Sequence, residues 1–362
     1  AVMAASLAVM VWAPDPDIWK PDGADAPILK IMILLMGTIG LPYLVLASTS
    51  PLLQRWFSWS FPGRSPYRLY ALSNVGSLLA LLSYPVLVEP RLPLGRQMLV
   101  WDATYVAFLL FSGVCAWRGA GDATTHPPPA PDAGTDAPAG SPSRGDIGLW
   151  LALSATGSAM LLASTNQLCQ EVASVPFLWV VPLALYLVTF IICFDRPRAY
   201  DRRVFGALLL VAVPLASQLL LEVSNISILH QIPVFLLALF ATCMCCHGEL
   251  VRLKPAPRHL TLFYLVVSTG GALGGVLVAV IAPTFFLGFW EYPVSLIAAC
   301  GLTLMAWYRD GAWRSALPRR SGMIWLPLGL FQLLLTVVLV SVAVRDTITP
   351  IDVRRNFYGV NR

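Results

Sequence analysis

The sequence predicts an all-α, polytopic membrane protein of about eleven transmembrane helices, and three observations carry that prediction. Of the 362 residues, 57% are hydrophobic and 12% charged, and mean hydropathy is +0.72. An average soluble domain is about 25% charged, so this much apolar surface must face lipid. The apolar residues are gathered into runs of bilayer length, about 20 residues of helix being needed to cross the hydrocarbon core. Basic loops alternate with base-poor ones, the asymmetry that orients membrane helices. Secreted disulfide scaffolds, disordered tails and soluble nucleic-acid binders are excluded. The lipid bilayer is the expected partner, and no nucleic acid is.

In chain order the expected segments are residues 1–13, 27–47, 67–88, 98–117, 147–163, 176–193, 204–221, 232–247, 260–282, 292–307 and 323–344. The first lacks an initiating methionine and a charged leader, so it reads as a helix whose beginning is missing. Pro42, Pro85, Pro182 and Pro214 are tolerable, because neighbouring helices can satisfy the freed carbonyls. Residues 119–146 contain no large apolar side chain, cannot offset chain entropy by burial, and read as a disordered linker. The chain thus divides into N-terminal helices (1–118), linker (119–146), C-terminal helices (147–344) and a polar, strand-compatible tail (345–362). Both ends are expected to be cut from a longer protein.

Arg55, Arg64 and Arg68 mark one basic loop; Arg196, Arg198, Arg202 and Arg203 a second; Arg252, Lys254 and Arg258 a third; Arg309, Arg314, Arg319 and Arg320 a fourth. The intervening loops hold Asp15, Asp17, Asp22 and Asp25 against Lys20, then Glu171, Glu222 and Glu291; the loop with Glu89, Arg91 and Arg96 is mixed. This places the linker in the cytoplasm. If it is the central loop of a six-plus-six transporter, the plan matches a major-facilitator-like bundle lacking its first two helices and carrying one extra.

Several stretches carry a resemblance. Ser48-Thr49-Ser50-Pro51-Leu52-Leu53-Gln54-Arg55-Trp56 precedes Tyr70-Ala71-Leu72-Ser73-Asn74-Val75-Gly76-Ser77-Leu78. Val175-Pro176-Phe177-Leu178-Trp179 leads to Pro182 and Tyr186; Cys246-His247-Gly248-Glu249-Leu250 is followed by Pro257-Arg258-His259-Leu260-Thr261 and by Gly270-Gly271-Ala272-Leu273-Gly274-Gly275. Together, from about Ser48 to the end, they resemble the membrane part of the fused major-facilitator-like/spermidine-synthase-like proteins of bacteria. The resemblance implies an inner-membrane location, polyamine chemistry, and a soluble aminopropyltransferase domain after the helices. Arg355-Asn356-Phe357-Tyr358-Gly359-Val360 resembles that domain's first strand. No Gly-rich loop for the donor, decarboxylated S-adenosylmethionine, follows within these residues, so the catalytic part is expected to be absent. Counting helices puts the C-terminus outside the cytoplasm, whereas the donor is made inside.

Glu249 with His247 is the leading candidate site, with Arg252, Lys254, Arg258 and His259 following. Ionisable residues near membrane depth are expensive and mark pathways; a carboxylate here could hold a cationic amine or a proton, or merely form salt bridges at a helix end. Asn166, Gln167, Gln170 and Glu171 either line the mouth of a cavity or form a polar loop, and Asn74 lies deeper, needing a hydrogen-bond partner. Glu249, His247, Glu171, Gln170, Asn74 and Arg258 form the expected substrate-binding set. Cys243, Cys245, Cys246 and His247 invite a zinc reading, but C-x-C-C-H on a helix spreads its side chains and no second cluster exists, so packing explains them better. Gly270, Gly271, Gly274 and Gly275 read as a close helix-packing face. No nucleophile triad, metalloprotease motif or Walker loop can be assembled, and neither a catalytic residue nor a cofactor is expected in this chain. Three functions remain open: binding or transport of a polyamine beside the synthase domain, a structural anchor, or a secondary transporter of an unrelated solute.

Overall fold

The computed structural model describes residues 5–7, 27–61, 66–125, 141–171, 176–221, 227–286, 288–310, 354–356 and 359–361, with single helical positions at 334, 337 and 341. Among them, eight helices are long and apolar enough to cross a membrane: Leu29–Ser58, Tyr67–Val88, Leu94–Arg118, Arg144–Cys169, Leu178–Asp195, Arg202–Leu220, Ile228–Arg252 and Leu260–Phe285. These match eight of the eleven expected segments, and they make the chain a multi-pass helical protein suited to a bilayer. Expected segment 292–307 also forms a helix but is less apolar than the eight. Segments 1–13 and 323–344 lie almost wholly outside the described residues.

The α-helices are α1 (Pro27–Leu35), α2 (Leu41–Ser60), α3 (Tyr67–Ser83), α4 (Leu94–Thr125), α5 (Arg144–Glu171), α6 (Pro176–Asp195), α7 (Arg202–Leu221), α8 (Ile228–Arg252), α9 (Leu260–Val276), α10 (Ala282–Phe285) and α11 (Glu291–Arg309). Wider π-helical turns at Met36–Gly40, Tyr84–Val88 and Leu277–Ile281 interrupt the spans. Two of them have a direct cause: the carbonyls that the rings of Pro42 and Pro283 would strike, on Thr38 and Ala279, lie inside these widened turns. At the C-terminal end, β1 (Arg354–Asn356) and β2 (Gly359–Asn361) pair antiparallel, so the stretch expected as one strand is a short hairpin.

The expected linker is shorter than residues 119–146. Helix α4 continues through Thr125, and α5 begins at Arg144. The cause at the second boundary is a capping box. The Ser143 backbone N–H and hydroxyl both donate to Asp146 Oδ2, at 2.9 and 2.7 Å, while the Asp146 N–H donates to Ser143 Oγ at 3.2 Å. This satisfies helix-end donors that would otherwise be orphaned.

The helices form two compact units, Ala1–Tyr70 with Ser83–Pro138, and Ala71–Leu82 with Ala139–Arg362. In the first, Val45, Tyr105 and Leu109 make a small core with Leu7 and Phe108, and the Tyr105 hydroxyl donates to Ser6 Oγ at 2.9 Å. The second is built around α5, which packs against α6, α8, α9 and α11. Its tightest seam is α5 with α9: a Cβ at Gly270 or Gly274 would run into the backbone carbonyl of Leu151 or Ala155. Ser154 Oγ donates to Val267 O across the same seam at 2.6 Å. Met160, Ala163, Leu168, Phe235, Leu239, Tyr292 and Leu296 belong to one buried cluster of α5, α8 and α11.

Candidate functional site

Glu249 lies three residues before the C-terminal end of α8 and has no exposed surface. A carboxylate so placed is tolerable only if paired and hydrogen-bonded, and four bonds meet that demand. Oε1 accepts from the Tyr200 hydroxyl (2.8 Å), Arg202 Nε (2.8 Å) and Trp307 Nε1 (2.9 Å); Oε2 accepts from Arg202 Nη2 (2.6 Å). The guanidinium fork on α7 thus grips the carboxylate at two points. Its remaining arm reaches Asp310 Oδ2 at 2.8 Å, just past α11, and Arg252 Nη2 approaches the same oxygen at 3.4 Å. A side chain at Gly248 would strike the Tyr200 ring, and one at Gly206 the Trp307 indole, so bare backbone lets both aromatic donors lie flush. Burial, followed by nearby Cys245 and Glu249, pushes the Tyr200 phenol far above the usual tyrosine range, so it stays a donor.

A second charged tie lies at the same end: Arg309 on α11 donates to Asp146 Oδ1 at 2.9 Å and to Ser143 Oγ at 3.3 Å. Trp150 Nε1 donates to Leu253 O at 3.0 Å, capping α8. Together these bonds clasp the starts of α5 and α7 to the ends of α8 and α11. This is the end that bears the Arg-rich loops. Lys254, half-buried just beyond α8, has its amine pushed downward by burial.

His247 does not share this site, although it is two residues away. Also fully buried, it turns to α5 and α6. Its Nδ1 lies 2.9 Å from Thr189 Oγ1, Phe190 stacks on the ring at 3.7 Å between centroids, and Tyr186 meets it edge-on at 5.0 Å. A Cβ at Gly157 would lie 3.2 Å from Nε2, which has no hydrogen-bond partner. The other expected residues are scattered. Asn74 is half-buried in α3, Gln170 and Glu171 form the last turn of α5, and exposed Arg258 donates to His259 Nε2 at 3.2 Å. Among the described residues, no three His, Cys, Asp or Glu side chains converge as a metal set. Cys243 Sγ instead lies 3.9 Å from Gly157 O, and Cys245 Sγ lies 3.5 Å from Phe205 O.

Gln167, expected at the mouth of a cavity, lies instead in the interior, with four residues that are absent from the expected set. Ser164 and Gln167 on α5, Thr242 on α8, and Tyr292 and Thr303 on α11 are buried, and each has a polar atom without a hydrogen-bond partner. Their levels follow from the pairings. Asp146 meets Arg309 with α5 and α11 antiparallel, so Tyr292 comes level with Ala163 and Ser164. Phe235 meets Tyr292 at 5.4 Å while Glu249 meets Trp307, so α8 and α11 run parallel. Glu291, also fully buried, opens α11 beside Tyr292. The unpartnered groups therefore run along the interior of the unit, from Thr303, one turn from Trp307 of the clasp, to Ser164, Gln167 and Tyr292 toward the far end.

No protein-family model matches the sequence, and neither a curated protein nor a solved structure matches it.

Proposed function

We propose that the chain is the membrane-embedded part of a protein resembling the bacterial major-facilitator-like/spermidine-synthase-like fusions, and that it binds or carries a polyamine or related amine. In this reading eleven spans follow the major-facilitator plan in the bacterial inner membrane. Aminopropyl transfer from decarboxylated S-adenosylmethionine belongs to a soluble domain beyond these residues.

The observation that carries the solute-handling reading is the set of buried polar atoms left without partners at Ser164, Gln167, Thr242, Tyr292 and Thr303. Each unpartnered group costs about 1–3 kcal/mol, and a bundle serving only as an anchor gains nothing from keeping them. The set is rich in acceptors, among them Gln167 Oε1 and the hydroxyl oxygens, which suits a donor-rich ammonium group. Glu291 brings a carboxylate to the level of Tyr292. Glu249, engaged by Arg202, Tyr200 and Trp307, serves instead to hold the clasped end shut.

The fully paired Glu249 clasp also favours a second reading, a structural anchor for the soluble domain. Equilibrium binding of labelled spermidine and putrescine to the purified chain in bilayer discs separates the two. Saturable binding displaced by unlabelled polyamine supports solute handling, and binding no greater than to empty discs leaves the anchor.

A further inference from the structure

His247 holds a buried lone pair that nothing in the fold uses. The Thr189 hydroxyl has one hydrogen, and it is donated to Tyr186 O at 2.7 Å. Thr189 Oγ1 must therefore accept from His247 Nδ1–H, across 2.9 Å, which leaves the ring neutral and Nε2 a bare acceptor. That nitrogen faces Gly157 on α5, where any side chain would press against it, so no water fits between. The carbonyl of the same residue, Gly157 O, is already approached by Cys243 Sγ. An imidazolium here would point its new N–H at a helix backbone that offers it nothing.

We propose that His247 is the proton-binding residue of the second unit, and that its protonation parts α5 from α8. A proton from water adds to the Nε2 lone pair, and the imidazolium keeps its Nδ1–H bond to Thr189. The stacked ring of Phe190 offers its face to the charge, while Tyr186 meets the imidazole edge-on. The Nε2–H gains a partner only when α5 withdraws from Gly157 and admits water. The titratable groups closest to the ring are Tyr186 on α6 and, across Gly157, Cys243 on α8, while Cys193 on α6 lies against Met244; the α5 stripe of Leu153, Gly157 and Met160 has none. Glu249, the nearest carboxylate along α8, is neutralised by Arg202. This deepens the solute-handling reading by naming the proton as the coupling ion, and it rests on that reading only for what the movement accomplishes.

The test measures α5–α8 opening without any solute. Cys243, whose sulfur lies against Gly157 O, is labelled in the purified full chain with a dithiodipyridine, a disulfide that still reacts with thiols in acid. Labelling is read by mass spectrometry as pH falls. Labelling is expressed relative to a free thiol in the same buffer, because thiol chemistry alone slows in acid; on that scale linkage to one proton gives a rise of up to roughly tenfold per pH unit. The rise is expected in the native chain and is lost in His247→Gln. Thr189→Val, which removes the acceptor of Nδ1–H, moves the transition to lower pH and serves where His247→Gln does not fold. Labelling that stays flat or falls in acid, or that rises equally in His247→Gln, overturns the proposal. Acid-driven opening without polyamine binding would sink the solute reading alone; polyamine binding without opening would sink this one alone.

Discussion

Glu249 shows how a side chain's surroundings decide its use. The sequence marks it as an ionisable group near membrane depth, and in the structure it is fully buried close to the end of α8. Its partners lie far along the chain at Tyr200, Arg202 and Trp307, and no local pattern announces them. A clue existed: a buried carboxylate demands a cation, and Arg202 opens the preceding helix. Trp307, at the end of an expected span, uses its indole N–H on Glu249. Replacing Glu249 by Gln leaves the largely buried Arg202 with only the exposed Asp310 as counter-charge, and breaking such a buried pair costs about 3–5 kcal/mol. Thermal unfolding in detergent should therefore fall sharply for Glu249→Gln, and to a similar degree for Arg202→Met. An unchanged unfolding temperature in both would contradict the clasp. His247 illustrates the converse, since adjacency in sequence suggested a shared site while the helix turns the two residues toward different neighbours.

At the scale of elements, apolar runs of bilayer length were legible, because hydropathy reports directly on lipid burial. The packing partners were not, since helices apolar on all sides carry little periodic signal. The Gly270–Gly275 stretch is the exception: it read as a packing face, and Gly270 and Gly274 lie against the backbone of α5. Gly274→Ala should force α9 away from Ala155 and cost about 1–3 kcal/mol, measured as a lowered unfolding temperature. Gly271→Ala, with only an ordinary contact to Ser154, should be nearly neutral. The start of α5 was missed although Ser143-x-x-Asp146 is a capping box, because its Pro-, Gly- and Ala-rich surroundings made the whole stretch look like linker. Ser143→Ala should cost about 1 kcal/mol and also loosen the grip of Arg309 on the same helix end.

For the whole molecule, composition made the membrane class legible, and loop charge predicts a direction for the helices. The clasped end carries Arg196, Arg198, Arg203 and Arg258, so it is expected in the cytoplasm. A cysteine placed at exposed Arg198 should be labelled by an impermeant maleimide only in inside-out vesicles, and one at exposed Ser227 only in right-side-out cells. Labelling of both from one side would overturn the arrangement. Sequence alone could not reveal the interior, because unpartnered polar atoms are a property of three helices brought together. The central claim is that these groups are kept for a solute and not for stability. The most direct test compares labelled spermidine binding and thermal unfolding in the native chain and Tyr292→Phe. The account expects affinity to fall by roughly tenfold, about 1.4 kcal/mol, while the unfolding temperature holds or rises because an unsatisfied buried hydroxyl is gone. Undiminished binding by a stabilised Tyr292→Phe, or no saturable binding in the native chain, would contradict it.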